Sequence, residues 1–212
     1  MKAVLVLNGD PPSLSRLKEL GREYPVFAAD GGATVCMAAG VKPQWVAGDL
    51  DSLQLKSLPE GWQILHFPEQ DRTDFQKVLG HLPKKFDEYL ILGGLGRRTD
   101  HFLSNLLIVM ALADPIRVIF EGEGQEIHRV TPATPFEKEL VIGGKLSLIP
   151  LNRSGGVKTC GLKWNLSDTD MGPGLQLGQS NLIEESSVKI EVSQGCLFVW
   201  IEFAVHGQIS LF

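Results

Sequence analysis

The chain has 212 residues, 43% of them hydrophobic, which is enough to bury a real core in one large domain or two modest ones. A formal net charge of -5 and the lack of a Lys/Arg cluster speak against a nucleic-acid groove, whose phosphate contacts require concentrated positive charge. No apolar run approaches membrane-spanning length, "MKAVLVLNGD" turns polar too soon for a signal peptide, and Cys36, Cys160 and Cys196 form no paired spacing; a cytoplasmic chain with buried thiols and no zinc framework is expected.

Taken in chain order, β-rich runs alternate with helical patterns up to about residue 125. "KAVLVLNG", "PVFAAD", "QWVAGD", "WQILHF", "EYLILGG" and "IRVIFEG" read as strands. Between them "SLSRLKELGREY", "GGATVCMAAG", "TDFQKVLGHL" and "DHFLSNLLIVMALA" space apolar residues three and four apart, as helices do. This order specifies an α/β domain, residues 1–128, with a Rossmann-like, mostly parallel sheet and flanking helices. Beyond it come short runs divided by Gly, Pro, Asn and Ser: "KLSLIPL", "GVKTCGLKW", "GLQLGQSNLIE", "SVKIEVSQG" and "CLFVWIEFAV". Val188, Ile190 and Val192 alternate with Lys189, Glu191 and Ser193, the pattern of a half-solvated antiparallel strand. Residues 129–212 are therefore expected to form a smaller all-β sandwich or barrel.

Ligands of open α/β sheets bind outside the carboxyl ends of the strands, and the acidic residues of the first half fall there. Asp30 ends "VFAAD", Asp49 and Asp51 follow "WVAG", Asp71 and Asp74 follow "ILHF", and Asp100 follows "YLIL". Singly, Asp71, Thr73 and Asp100 are ordinary helix caps. Together they suggest a cation site, because two carboxylates about 4 Å apart repel by about 4 kcal/mol at an effective dielectric of about 20. Oxygen ligands without Cys or paired His select Mg²⁺, Mn²⁺ or Ca²⁺, and Mg²⁺ commonly bridges to substrate phosphates. "ADGGA" and "GGLGRR" are Gly-rich turns before helices, where backbone can approach a phosphate. Neither is a dinucleotide fingerprint, and there is no Walker A sequence. His101 is read equally as an acid or base and as a capping residue.

The set "ADGGA", "GDLDSL", "DRTDF" and "GGLGRRTDHFLSN", with "GLKWNL" and "SN" (Ser180, Asn181) in the second half, resembles the thiamin pyrophosphokinase family over nearly the whole chain. The resemblance implies transfer of a diphosphate group from ATP to the hydroxyl of thiamin, giving thiamin diphosphate and AMP, in a homodimer. It implies Mg²⁺ on Asp49, Asp51, Asp74 and Asp100, with Asp71 as a further catalytic carboxylate. ATP would meet Asp30, Gly31, Gly32, Asp71, Thr73, Gly96, Arg98 and His101, and thiamin would meet Trp164, Ser180 and Asn181. Two positions depart from the family pattern. Arg97 stands where a second Gly is common, and Gln44 stands where Asp usually follows the Pro. The rival readings are a diphosphokinase for another small alcohol, such as a hydroxymethylpterin, and a non-catalytic sensor of thiamin diphosphate or a nucleotide. "GLKWNL" with "SN" speaks against the first, and the full set of acidic positions speaks against the second.

Overall fold

A computed structural model describes residues 1–50 and 58–203. The chain divides into two compact units: Met1–Ile108 with Phe120–Gly122, and Val109–Ile119 with the chain from Glu123 onward. The division is thus not the single cut after residue 128 suggested by the sequence, because a short segment returns to the first unit.

In the first unit, β1 (Lys2–Val6), β2 (Val26–Ala29), β3 (Val46–Gly48), β4 (Ile64–His66) and β5 (Glu88–Leu92) are parallel, in the order β5-β1-β2-β3-β4. Parallel strands covered on both faces read as unbroken apolar runs, and Ala3, Val4, Leu5 and Val6 of β1 have no exposure at all. Each such Val or Leu contributes about 1.5–3 kcal/mol through burial. The connections carry α1 (Leu14–Glu23), α2 (Gly32–Ala39) and α3 (Asp74–His81), and α4 (Thr99–Met110) follows β5. The Ser13 hydroxyl caps α1, which buries Leu17 and Leu20 while Arg16 reaches Glu121 through two hydrogen bonds of 2.8 and 3.0 Å. Glu121 lies on β6 (Arg117–Gly122), the strand that carries the returning segment.

In the second unit, β7 (Gln125–Val130) was not foreseen from the sequence pattern, nor were β8 (Phe136–Glu139) and β11 (Thr169–Met171). With β9 (Lys145–Ile149), β10 (Ser154–Cys160), β12 (Gly178–Leu182), β13 (Ser187–Glu191) and β14 (Leu197–Glu202) they form two antiparallel layers. One layer runs β12-β9-β14-β7 and the other β11-β10-β13-β8. Leu146, Leu148, Leu197 and Val199 from the first meet Phe136, Val157, Val188 and Ile190 from the second in one core. The expected alternation holds: Val188, Ile190 and Val192 are buried, while Lys189 and Glu191 face out.

Candidate active site

Strand order reverses at β1, whose neighbours are β2 on one side and β5 on the other. Beside that switch point lies a cleft of about 760 Å³, lined by Asn8, Asp30, Asp49 and Asp74 among others. Three of these are carboxylates supplied by different elements. Asp30 follows β2 in the left-handed region at φ 38°, which Asp tolerates better than most residues, and is only 6% exposed. Asp49 follows β3. Asp74 opens α3, where a capping box fixes the first turn: the Thr73 hydroxyl accepts from Gln76 N at 3.2 Å, and Gln76 Oε1 accepts from Thr73 N at 3.0 Å. One oxygen from each of Asp30, Asp49 and Asp74 lies within 4.8 Å of the others. The Asp49 N–H donates to Asp74 Oδ1 at 3.2 Å, and Gln70 Nε2 donates to Asp49 Oδ2 at 2.9 Å. Gly48, at φ 157°, leaves room for the group, since a Cβ there would sit a tight 3.1 Å from both Asp30 Cβ and Asp74 Oδ1.

The other carboxylates are disposed differently. Asp51 lies outside the described residues. Asp71 is exposed, 3.8 Å from Arg72 Nε. Asp100 is also exposed, and Arg98 grips both its oxygens, Nε to Oδ1 at 3.1 Å and Nη2 to Oδ2 at 2.6 Å. Those hydrogen bonds hold the Asp100 carboxyl below the usual carboxylate range. Thus Asp49 and Asp74 meet in a group that Asp100 does not join, and Asp30, assigned by resemblance to the nucleotide, completes it.

The turn after β5 lines the same cleft through Gly93, Gly94 and Gly96, and the turn after β2 reaches it through Asp30. A Cβ on Gly32 would come within 2.1 Å of the Val6 carbonyl oxygen, so α2 starts hard against the end of β1. Gly96 lies against the Asp10 carboxylate at φ 73°, a left-handed conformation that favours glycine. Arg97 answers the question raised by its departure from the family pattern: its Nη1 donates to the backbone oxygen and to Oδ1 of Asn8, both at 3.1 Å. Arg98 and His101 line the cleft as well.

In the second unit the Trp164 ring is 55% exposed, with Lys163 Nζ 5.0 Å from its centroid. Asn181 is buried and clamps the Trp164 backbone, accepting from its N–H at 3.2 Å and donating to its carbonyl at 2.8 Å. Ser180 has φ 59° and donates its N–H to Ser147 Oγ at 2.9 Å.

A family model described as "Thiamin pyrophosphokinase, catalytic domain" matches residues 19–120, and one described as "Thiamin pyrophosphokinase, vitamin B1 binding domain" matches residues 135–197. The chain belongs to the thiamin pyrophosphokinase family. Among members of the family, thiamine pyrophosphokinase 1 of Oryza sativa subsp. japonica is 30% identical over 169 residues, covering 70% of this chain and 62% of that protein's length. Thiamin pyrophosphokinase 1 of Caenorhabditis elegans is 26% identical over 209 residues, covering 91% and 86%. Crystal structures of thiamine pyrophosphokinase from Bacillus subtilis and from Geobacillus thermodenitrificans share the fold, with TM-scores of 0.81 and 0.83 at 22% and 20% identity. They cover 97% and 98% of this chain, and all of each of those chains.

Proposed function

We propose that this chain transfers the diphosphate group of ATP to thiamin, giving thiamin diphosphate and AMP. The observation that carries the reading is the convergence of Asp30, Asp49 and Asp74 in a cleft at the switch point of a chain from this family. The thiamin hydroxyl oxygen forms a bond to the β-phosphorus of ATP. The bond from that phosphorus to the bridging oxygen breaks, its electron pair leaves with AMP, and the hydroxyl proton passes to a base.

Three carboxylate oxygens this close together are the donor chemistry of a hard divalent cation, so the residues fit Mg²⁺. Asp30, Asp49 and Asp74 would hold it, and when bound it supplies charge neutralisation on the triphosphate. The chain's own groups do the rest. The turn at Gly93–Gly96 brings backbone to the phosphates, and the turn after β2 reaches the cleft through Asp30 just before α2. Arg97 ties the turn after β5 to Asn8 at the end of β1, which removes a motion the cleft would otherwise have to freeze on binding. Arg98, once drawn from Asp100 by a phosphate, adds positive charge, and His101 stands beside it. Asp71 is exposed and lines the cleft, and it is the acceptor assigned to the hydroxyl proton.

Thiamin would stack on Trp164, whose exposed indole suits a flat cation by about 0.5–2 kcal/mol. Asn181 supports this by holding the Trp164 backbone, and Ser180 adds a polar contact beside it. The reading includes a homodimer working in the cytoplasm; three free cysteines, Cys36, Cys160 and Cys196, accord with a reducing compartment.

The test is incubation with ATP, Mg²⁺ and thiamin, following AMP and thiamin diphosphate together by chromatography, with an EDTA control. Equal amounts of both products, abolished by EDTA, are expected. Thiamin binding without products would replace the reaction by a sensor role.

A further inference from the structure

The arginines that line the cleft are exposed, but one lysine is not. Lys77 lies on α3, one turn beyond Asp74, between the buried Phe75 and Val78. It is 5% exposed, and its Nζ donates to Asp74 Oδ1 at 3.0 Å. An ammonium taken out of water is costly unless paired, and lysine is among the residues least often fully buried. Its place on the inner face of α3, where an apolar side chain would pack at lower cost, therefore has to be explained by Asp74.

Orientation of Asp74 is secured without it. The capping box of Thr73 and Gln76 fixes the first turn of α3, and the Asp49 N–H donates to the same Oδ1. What Lys77 adds is a positive charge against three carboxylates whose oxygens lie within 4.8 Å. That charge relieves their repulsion before any cation arrives, and it also weakens their pull on a bare divalent ion. A metal already bound to a triphosphate brings phosphate oxygens of its own and needs less from the protein.

We propose that Lys77 is a positioning residue that acts through Asp74 as an internal counter-cation, setting the site to take its divalent cation as the metal–triphosphate complex rather than alone. The inference rests on the proposed diphosphate transfer for its purpose, but not for its test. Lys77 lines the cleft beside Asp74, and its ammonium is engaged by Asp74 Oδ1, so it acts on the metal–triphosphate through that carboxylate.

The experiment is calorimetric titration of Mn²⁺ into the whole protein, wild type and variants, with and without α,β-methylene-ATP, which resists cleavage at the reacting bond. Wild type should bind Mn²⁺ at least about tenfold more tightly with the nucleotide than without it. K77M should bind Mn²⁺ alone about tenfold more tightly than wild type and lose most of the nucleotide dependence, because the opposing charge is gone. K77R should stay within about threefold of wild type. Equal or weaker Mn²⁺ binding by K77M would overturn the proposal, as would a K77R variant behaving like K77M. If K77M does not fold, wild type still decides: Mn²⁺ held equally with and without the nucleotide sinks the idea. Should these affinities hold while no thiamin diphosphate forms in the activity assay, the proposed reaction fails and the role of Lys77 stands.

Discussion

At the scale of single residues, the site is a problem in crowded negative charge. Asp30 carries the sharpest consequence, because it is the most buried of the three carboxylates. Replacing it with Asn should lower turnover by about a hundredfold or more, while leaving the melting temperature unchanged or raised, since one repulsive charge is removed. Asp100 makes the contrast. Its carboxylate is spoken for by Arg98, so D100N should leave Mn²⁺ affinity without nucleotide within about twofold of wild type. Activity assays and thermal melts check the first statement and Mn²⁺ calorimetry the second; D30N should lose the ion in the same titration, and a D100N variant that lost it too would put Asp100 back among the ligands. The strand-end position of Asp30 was readable, since "VFAAD" parallels "WVAGD". Its membership of the group was not, because the left-handed turn at φ 38° that redirects the chain leaves no mark in the order of residues.

At the scale of elements, α3 delivers Asp74, and its start is set by one side-chain exchange. T73A removes the hydroxyl that accepts from Gln76 N and should cost about 1 kcal/mol, a fall in melting temperature of about 2–4 °C for a chain of this size. T73S should restore most of it, and thermal melts of both variants measure the difference. In the second unit, β7 and β8 lie in different sheets and are joined by Glu126, which receives His128 Nε2 at 2.6 Å and Lys138 Nζ. Burial pushes the Glu126 carboxyl up, but the hydrogen bonds from His128 and Lys138 outweigh it and bring it to about 2. The folded value lies below the ordinary 4.5, so the stability this group contributes is present above about pH 4.5 and is lost as pH falls toward about 2. E126Q should flatten the acid limb of stability across that window, and urea melts at a series of pH values would read it. The same residues explain why β7 escaped the sequence pattern. Its run "QEIHRV" holds the half-buried Glu126 and the buried His128 and Arg129, polar groups that are tolerated there because they are bonded: Arg129 donates to Asp114, Ile116 and Leu112. The parallel strands had no such disguise, since burial on both faces leaves an apolar run to be read directly. β11 was missed for a simpler reason, being only 3 residues long. Lys77 was hidden by its type, because a lysine in a helical pattern is taken as solvated until its neighbours are known.

At the scale of the whole molecule, the first unit is not finished where its main segment stops at Ile108. Phe120, fully buried, packs so close to Gly94 that a Cβ there would lie 2.6 Å from its ring, and Glu121 supplies both acceptors for Arg16. A fragment ending after residue 108 loses all of this. Loss of a buried Phe side chain alone costs about 3–5 kcal/mol, against about 5–15 for a typical domain, so this fragment should melt without cooperativity by circular dichroism. A fragment ending after residue 122 should regain a measurable transition. The returning segment also orders events during translation. The carboxylates at residues 30, 49 and 74 leave the ribosome well before Phe120, so the nascent chain carries its clustered acids through an interval in which the turn at Gly94 has no aromatic ring to rest on.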